Sequence, residues 1–102
     1  MVLVRSVYEI SRHFPADERY GLSAQIQRSA VSVPSNIAEG AARSGAREFA
    51  QFLNLARGSL SELETQLLIV VEIGYLDRAH AVFSSVDHVS RLLTGLHKSV
   101  KD

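Results

Sequence analysis

This chain contains no cysteine, only two prolines and few aromatic residues, and its formal net charge is zero. Without cysteine there are no disulfides, no cysteine-ligated zinc and no thiol catalysis. The 11 basic and 11 acidic side chains cancel, which argues against binding nucleic acid through bulk charge but leaves a local basic patch open. The longest unbroken apolar run extends from Leu67 to Val71, whereas a membrane-spanning helix needs about 20 residues. We therefore expect no membrane span.

The residues that are present suffice for one folded domain. The chain has 102 residues, of which 46% are hydrophobic, and this length suits one core with no room for a second. The first residues show no basic stretch followed by an apolar one, as a secretory signal would. We expect a single domain over residues 1–102, located in the cytoplasm.

Four segments repeat apolar residues at spacings of three and four, the period of a helix with one buried face. They predict helices at about 2–14, 21–42, 45–73 and 78–100. The predicted core positions are Leu3, Val7, Ile10 and Phe14; Leu22, Ile26, Ala30, Val33, Ile37 and Ala41; Phe49, Leu53, Ala56, Leu60, Leu63, Leu67 and Val70; and Val82, Val86, Val89, Leu93, Leu96 and Val100. Short connections make consecutive helices antiparallel, so we predict an all-α, up-down-up-down four-helix bundle.

Capping residues suggest the helix boundaries. Pro15 ends the first helix, and Ser44 is placed to cap the third. Gly74 can end the third helix because glycine readily adopts the left-handed conformation. Asp77 is then predicted to cap the fourth helix.

Two features of the helices have more than one interpretation. Pro34 lies inside the second helix and predicts a kink, which either serves a function or only wraps the helix around the core. The third helix is apolar nearly all round at its C-terminal end, which either meets another subunit or is a covered end of the same bundle. The candidate subunit contacts are Leu68, Ile69, Val71 and Ile73. Gly58 and Ser59 predict a close approach of another helix.

The segment Gln25-Ile-Gln-Arg-Ser-Ala-Val-Ser-Val-Pro-Ser-Asn-Ile-Ala-Glu-Gly40 resembles the signature of the 23S ribosomal RNA intervening-sequence proteins. A second matching segment is Ala56-Arg-Gly-Ser-Leu-Ser-Glu-Leu-Glu-Thr-Gln-Leu67, followed by the Gly74-Tyr75-Leu76 turn. The resemblance runs from about Pro15 to Leu76. Its signature residues in this chain are Pro34, Asn36, Glu39, Gly40, Gly58, Ser59 and Glu62.

The resemblance implies a four-helix bundle that assembles as a ring-like homopentamer, with no enzymatic activity. The fold also resembles the accessory subunit of diversity-generating retroelements, which works with RNA and a reverse transcriptase. One departure concerns the first helix. Family members usually have about ten further residues before the segment that matches Val7-Tyr8, so either the true start lies upstream or this helix has lost two or three turns.

The polar signature residues are the candidate contact site. Arg28, Ser32, Asn36, Glu39 and Arg43 are three or four residues apart and form one stripe on the second helix. They either contact RNA or a protein partner, or have a structural role in which Asn36 and Glu39 bind the backbone or arginine side chains near Pro34. Glu62 likewise can pair with arginines inside an assembly.

Basic residues for RNA are predicted around the connection between the second and third helices. The candidates for nucleic-acid or partner contact are Arg28, Asn36, Arg43, Arg47 and Arg57. A ring would repeat such a cluster and strengthen binding through multivalency. The alternative is an ordinary solvated face, since acidic residues lie nearby and aromatic residues for base stacking are nearly absent among the basic ones.

Catalysis and metal binding have little support. On the fourth helix, His80, His88 and His97 are eight or nine residues apart, too far to share one metal ion. No hydrolase elbow, phosphate loop or His-Glu-x-x-His motif occurs. We therefore expect no enzyme, no cofactor and no metal. The predicted function is a non-catalytic homo-oligomer, with five copies, that binds RNA or a nucleic-acid enzyme; the alternative is a protein-interaction scaffold without nucleic acid.

Overall fold

The structure is a computed structural model that describes residues 2–101, so Met1 and Asp102 of the predicted domain lie outside the described residues. It contains α1 (Val2–Arg12), a short 3₁₀ helix (Ala16–Glu18), α2 (Leu22–Ala41), α3 (Ala46–Glu72) and α4 (Val82–Lys101). No strand occurs in this range. The all-α prediction is confirmed. None of the helices between residues 2 and 101 has the length and apolar character that a bilayer span requires.

The first helix is short and ends two residues before its predicted limit of Phe14. After Arg12 the backbone tightens into turns, in which the His13 N–H donates to the Ile10 carbonyl at 3.1 Å and the Phe14 N–H donates to the Ser11 carbonyl at 3.2 Å. Pro15 follows, and a proline disfavours the helical conformation of the residue before it. Phe14 is nevertheless buried, as predicted.

At the ends of α3, the predicted cap at Ser44 is wrong, whereas the predicted helix end at Gly74 is confirmed. Gly45 precedes the helix in extended conformation without a side-chain cap, so Ser44 does not cap α3. At the other end Gly74 has φ +89°, the left-handed conformation expected of it. The Tyr75 N–H donates to the Val70 carbonyl and the Gly74 N–H to the Val71 carbonyl, both at 3.0 Å. This pair of bonds is the Schellman motif, which satisfies the last free carbonyls of a helix.

The fourth helix begins at Val82 rather than at residue 78, so the prediction that Asp77 caps it is wrong. The Asp77 carboxylate instead accepts the N–H of Ala79 at 2.8 Å and stabilises a separate turn. The first N–H of α4, that of Val82, donates to Nδ1 of His80 at 3.0 Å. The imidazole of His80 therefore satisfies part of the helix N-terminus.

The four helices surround one apolar core. α1 contacts α2 and α4, and α3 contacts the same two helices, so α1 and α3 lie diagonally across the bundle. The buried apolar residues are Leu3, Val7, Ile10, Phe14, Ile26, Ala30, Val33, Leu53, Ala56, Leu60, Leu63, Leu67, Val70, Val82, Val86 and Leu93. These positions follow the predicted spacing, which is why the four helical segments could be identified.

Two predicted core residues are exposed. Ala41 lies in the last turn of α2, and Leu96 on α4 is 39% exposed. α1 has 11 residues and α4 has 20, which correspond to lengths of about 16 and 30 Å. Because the C-terminal end of α1 lies beside the Asp77–His80 turn before α4, the C-terminal half of α4 extends past α1. Leu96 lies in that uncovered half.

Pro34 lies within α2, which continues through it as one helix. Proline has no N–H, so the carbonyl of Ala30 loses its helical partner. The predicted kink at this position remains a prediction.

Candidate functional site

Polar side chains join α2 to α3 along the predicted stripe. The Asn36 side-chain amide donates to the Ser32 carbonyl at 2.8 Å and lies 3.1 Å from the Ser32 hydroxyl. The Ser32 hydroxyl is 2.9 Å from the hydroxyl of Ser59 on α3. Asn36 is half-buried and binds the backbone close to Pro34. This geometry matches the structural alternative for Asn36, with the Ser32 carbonyl as its acceptor.

A second link between α2 and α3 lies about one turn nearer the start of α2. Ser29 is 5% exposed, and its hydroxyl lies 3.0 Å from Glu62 Oε1 and 2.8 Å from Gln66 Oε1. A hydroxyl carries one hydrogen and can donate to only one of these oxygens at a time. The sequence indicated no hydrogen-bonding role for Ser29 and suggested arginines as the partners of Glu62. Within the chain, Glu62 instead contacts this buried hydroxyl.

The order of these contacts shows that α2 and α3 are antiparallel. Gly40 faces Phe49 and Phe52, Ser32 faces Ser59, and Ser29 faces Glu62. Moving back along α2 therefore means moving forward along α3. Because α2 and α3 are antiparallel, the two signature segments, residues 25–40 and residues 56–67, lie beside each other.

The two glycines of the signature differ in surroundings. A Cβ at Gly40 would lie 2.6 Å from the Phe52 Cβ, so the helices touch there. Gly58 has no atom within 4 Å of its Cβ position. The prediction that Gly58 permits a close helix approach is therefore wrong within this chain, because Gly58 faces outward.

The predicted basic residues do not form one cluster. Arg43 pairs with Glu39 at 3.1 Å and its guanidinium lies 5.1 Å from the Phe52 ring centre. Arg43 follows the end of α2, and Arg47 is exposed in the first turn of α3, on the other side of the connection between these helices. Both pair members, Arg43 and Glu39, are about half exposed, and such surface pairs add little to stability. Arg43 and Arg47 thus flank one connection at one end of the bundle.

The other two arginines lie elsewhere. Arg28 borders a hollow of about 210 Å³ between α2 and α3, beside Ser29 and Glu62. Arg57 borders a hollow of about 240 Å³ between α3 and α4, together with Glu64 and Asp87. Carboxylates that share a hollow with an arginine reduce its attraction for phosphate. Arg43 is likewise paired with a carboxylate, that of Glu39, so the predicted basic residues lie on three separate surfaces, each with an acidic neighbour.

Aliphatic side chains are exposed on the outer face of α3. Leu68 is 41% exposed, Ile69 46% and Ile73 47%, while Val71 is half-buried. Leu55 is 56% exposed and was missed by the sequence prediction. Leu55, Ile69 and Ile73 are separated by 14 and four residues, so they share one helix face. Leu68 projects from a different flank of α3.

Two of the histidines lie near acidic side chains. His13 and His80 border the same hollow of about 310 Å³ with Glu9 and Asp77. Oδ1 of Asp77 accepts the N–H of Ala79, and Nδ1 of His80 accepts the N–H of Val82. Across residues 2–101, no three His, Asp or Glu side chains are placed to share one metal ion.

These features define a class of protein: a four-helix bundle with polar links between α2 and α3 and an exposed aliphatic face on α3. The family model described as 23S rRNA-intervening sequence protein matches residues 1–95. The chain belongs to that family.

Comparison with solved structures supports the fold. The chain is similar to a protein of unknown function from the S23 ribosomal protein family of Bacteroides thetaiotaomicron VPI-5482, with a TM-score of 0.72 and 24% sequence identity. The similarity covers 97% of this chain and 88% of that one. No curated protein matches this chain.

Proposed function

We propose that this chain is the non-catalytic subunit of a homo-oligomeric ring of five copies that binds RNA in the cytoplasm. The observation that carries the assembly is the aliphatic face of α3. Leu55, Ile69 and Ile73 each expose close to half of their surface or more and lie outside the apolar core of their own chain. Burying such a face against a second copy removes apolar surface from water.

Gly58 supports the same face as a contact. It lies between Leu55 and Glu62 on α3 with open space beyond it. A glycine in a helix interior costs about 1 kcal/mol relative to alanine, and this cost brings no benefit within the chain. A helix of a second copy could approach closely there.

Two observations support RNA binding. Arg43 and Arg47 flank the connection between α2 and α3, and the family is described as 23S rRNA-intervening sequence protein. Assembly would repeat this pair of arginines around the ring, and several weak phosphate contacts would then act together. The alternative, a scaffold that binds proteins only, is favoured by the zero net charge of the chain. Salt separates the two, because phosphate contacts weaken steeply with ionic strength whereas apolar contacts do not.

Light scattering during size-exclusion chromatography tests the assembly. We expect a mass close to five chains, and a monomer mass for the Ile69→Asp/Ile73→Asp double variant. Leu92→Asp, which places one negative charge at an exposed position of α4, is the control and stays assembled. A wild-type monomer, or a double variant of unchanged mass, would contradict this interface.

Anisotropy of a labelled RNA tests the second part of the proposal. Arg43→Ala/Arg47→Ala is expected to weaken binding and to reduce its salt dependence. Arg78→Ala/Arg91→Ala removes the same charge elsewhere and serves as the control. If both double variants bind RNA equally well, the Arg43–Arg47 end has no role; if wild-type protein binds no RNA at low salt, the protein scaffold is the better proposal.

A further inference from the structure

Charges are separated around the connection between α1 and α2. Arg12 and Arg19 border one side of it, in a groove of about 540 Å³ between the two helices that has no acidic residue in its lining. The acidic side chains lie on the other side. Glu18 accepts the Tyr75 hydroxyl at 3.4 Å, and Asp17 also acts electrostatically on Tyr75. One face of this end is therefore basic although the chain as a whole is neutral.

Two tyrosines border the same groove. Tyr20 is 85% exposed and Tyr8 is 41% exposed. The guanidinium of Arg19 lies 5.5 Å from the centre of the Tyr20 ring. The Tyr20 ring, which is 85% exposed, adds almost nothing to the core and is available for another ring to stack on it.

Two buried serines lie in the lining of the groove. Ser11 and Ser23 are 8% and 6% exposed. The Gln27 side-chain amide of α2 donates to the Ser11 hydroxyl at 2.8 Å, and that hydroxyl donates to the Tyr8 carbonyl at 3.0 Å. These bonds connect α1 directly to α2. These bonds fix the position of α1 against α2, and the buried serines lie beside the apolar side chains of Phe14, Ala16 and Ala24 in the lining of the groove.

We propose that the groove between α1 and α2 is a binding site for single-stranded RNA. Tyr20 and Tyr8 stack against unpaired bases, and Arg12 and Arg19 contact the phosphates between them. Basic residues beside aromatic rings are the recurring arrangement of single-strand sites, and the volume of about 540 Å³ lies within the range of small-ligand sites, about 300–1,000 Å³. This site is separate from the Arg43–Arg47 end and does not require assembly.

Binding of a labelled oligouridylate, followed by fluorescence anisotropy, tests the stacking. Tyr20→Ala is expected to weaken binding by roughly 5- to 150-fold, the range for loss of one base–aromatic stack. Tyr20→Phe keeps the ring and is expected to bind within about twofold of wild type. Because Tyr20 is almost fully exposed, neither change should alter the circular dichroism spectrum.

The arginines are tested through salt dependence. Arg12→Ala/Arg19→Ala is expected to reduce the slope of log affinity against log salt by about 0.7 for each lost phosphate contact. Duplex RNA of the same length is expected to bind more weakly than the single strand, since its bases are already stacked. In the Arg43→Ala/Arg47→Ala background, Tyr20→Ala is expected to weaken binding by the same factor as in wild type. This groove can therefore be tested even if the Arg43–Arg47 end does not bind RNA.

Four outcomes would overturn this site. Tyr20→Ala could bind the oligouridylate as tightly as wild type, Tyr20→Phe could lose as much affinity as Tyr20→Ala, or duplex RNA could bind as well as the single strand. Absence of any oligouridylate binding would also overturn it and leave the groove to a protein partner.

Discussion

Gly40 of α2 and Phe52 of α3 are in direct contact at the end of the bundle where the two helices are joined. A Cβ atom at Gly40 would lie 2.6 Å from the Phe52 Cβ and 3.0 Å from Cδ1 of Phe49. The Phe52 Cβ is attached to the backbone and cannot move unless α3 moves with it. The absence of a side chain at Gly40 therefore determines how closely the two helices approach.

Gly40→Ala is expected to destabilise the protein by about 1–3 kcal/mol, the usual cost of overpacking. Alanine has a higher helix propensity than glycine by about 1 kcal/mol, so a net loss of stability can only come from the contact with α3. Urea denaturation measures the free energy of unfolding. Gly95→Ala in α4 is the matched control, because nothing lies within 4 Å of its Cβ position. It should raise stability, and equal effects at both glycines would contradict the close contact.

Ser29→Ala is expected to lower the free energy of unfolding by about 0.5–1.5 kcal/mol. The substitution removes the hydroxyl that lies 3.0 Å from Glu62 Oε1 and 2.8 Å from Gln66 Oε1. Ser35→Ala on the same helix changes an exposed serine and should have an effect within about 0.5 kcal/mol. Chemical denaturation of the two variants in parallel measures both changes in the free energy of unfolding. An unchanged free energy for Ser29→Ala would contradict a stabilising role for this hydrogen bond.

Leu63→Ala is expected to cost about 2–5 kcal/mol. Leu63 is fully buried in the core, and the shortened side chain would leave a cavity. Leu92→Ala is the control, since Leu92 is 58% exposed and should lose less than about 0.5 kcal/mol. Thermal or urea unfolding gives both values. A loss below 1 kcal/mol at Leu63 would contradict its position at the centre of the bundle.

Tyr75 is expected to ionise at unusually high pH. Partial burial, the charges of Glu18 and Asp17 and the bond to Glu18 together raise the pKa of Tyr75 above 10.0. Folding therefore favours the neutral phenol, so this contribution to stability is present below pH 10 and is lost as the pH rises through the folded-state pKa. Ultraviolet titration of tyrosinate measures it, with Tyr75→Phe subtracted to isolate this residue. Glu18→Gln should lower the pKa, and an unchanged titration would show that Glu18 has no influence.

The helices could be predicted because their evidence is local. Core positions on α3 such as Leu53, Leu60 and Leu67 repeat along the chain with the period of the helix, and all three are buried. The wrong boundary at Asp77 has a physical reason. A residue that is suited to capping can instead stabilise a turn, as Asp77 does with Ala79, and only the path of the connection decides between these roles.

The polar contacts could be predicted in part. The spacing of Ser32 and Asn36 indicated one face of α2, and the structural alternative for Asn36 matches the observed hydrogen bond. The basic residues were harder to place, because helical spacing says nothing about which neighbouring helix an arginine meets. Arg57 lies beside α4 and Arg28 lies beside α3, so five candidates from one sequence region lie on different surfaces.

Periodicity along the chain determines that this protein is helical and where most of its core lies, and the short connections make consecutive helices antiparallel. These properties depend on residues within one or two turns of each other. Tertiary packing alone decides which glycine touches a neighbouring helix, which serine is buried beside Glu62, and that Tyr8 and Arg12 of α1 lie in one groove with Arg19 and Tyr20. The physical reason is that each of these contacts depends on the relative position and rotation of two helices, which no single helix specifies.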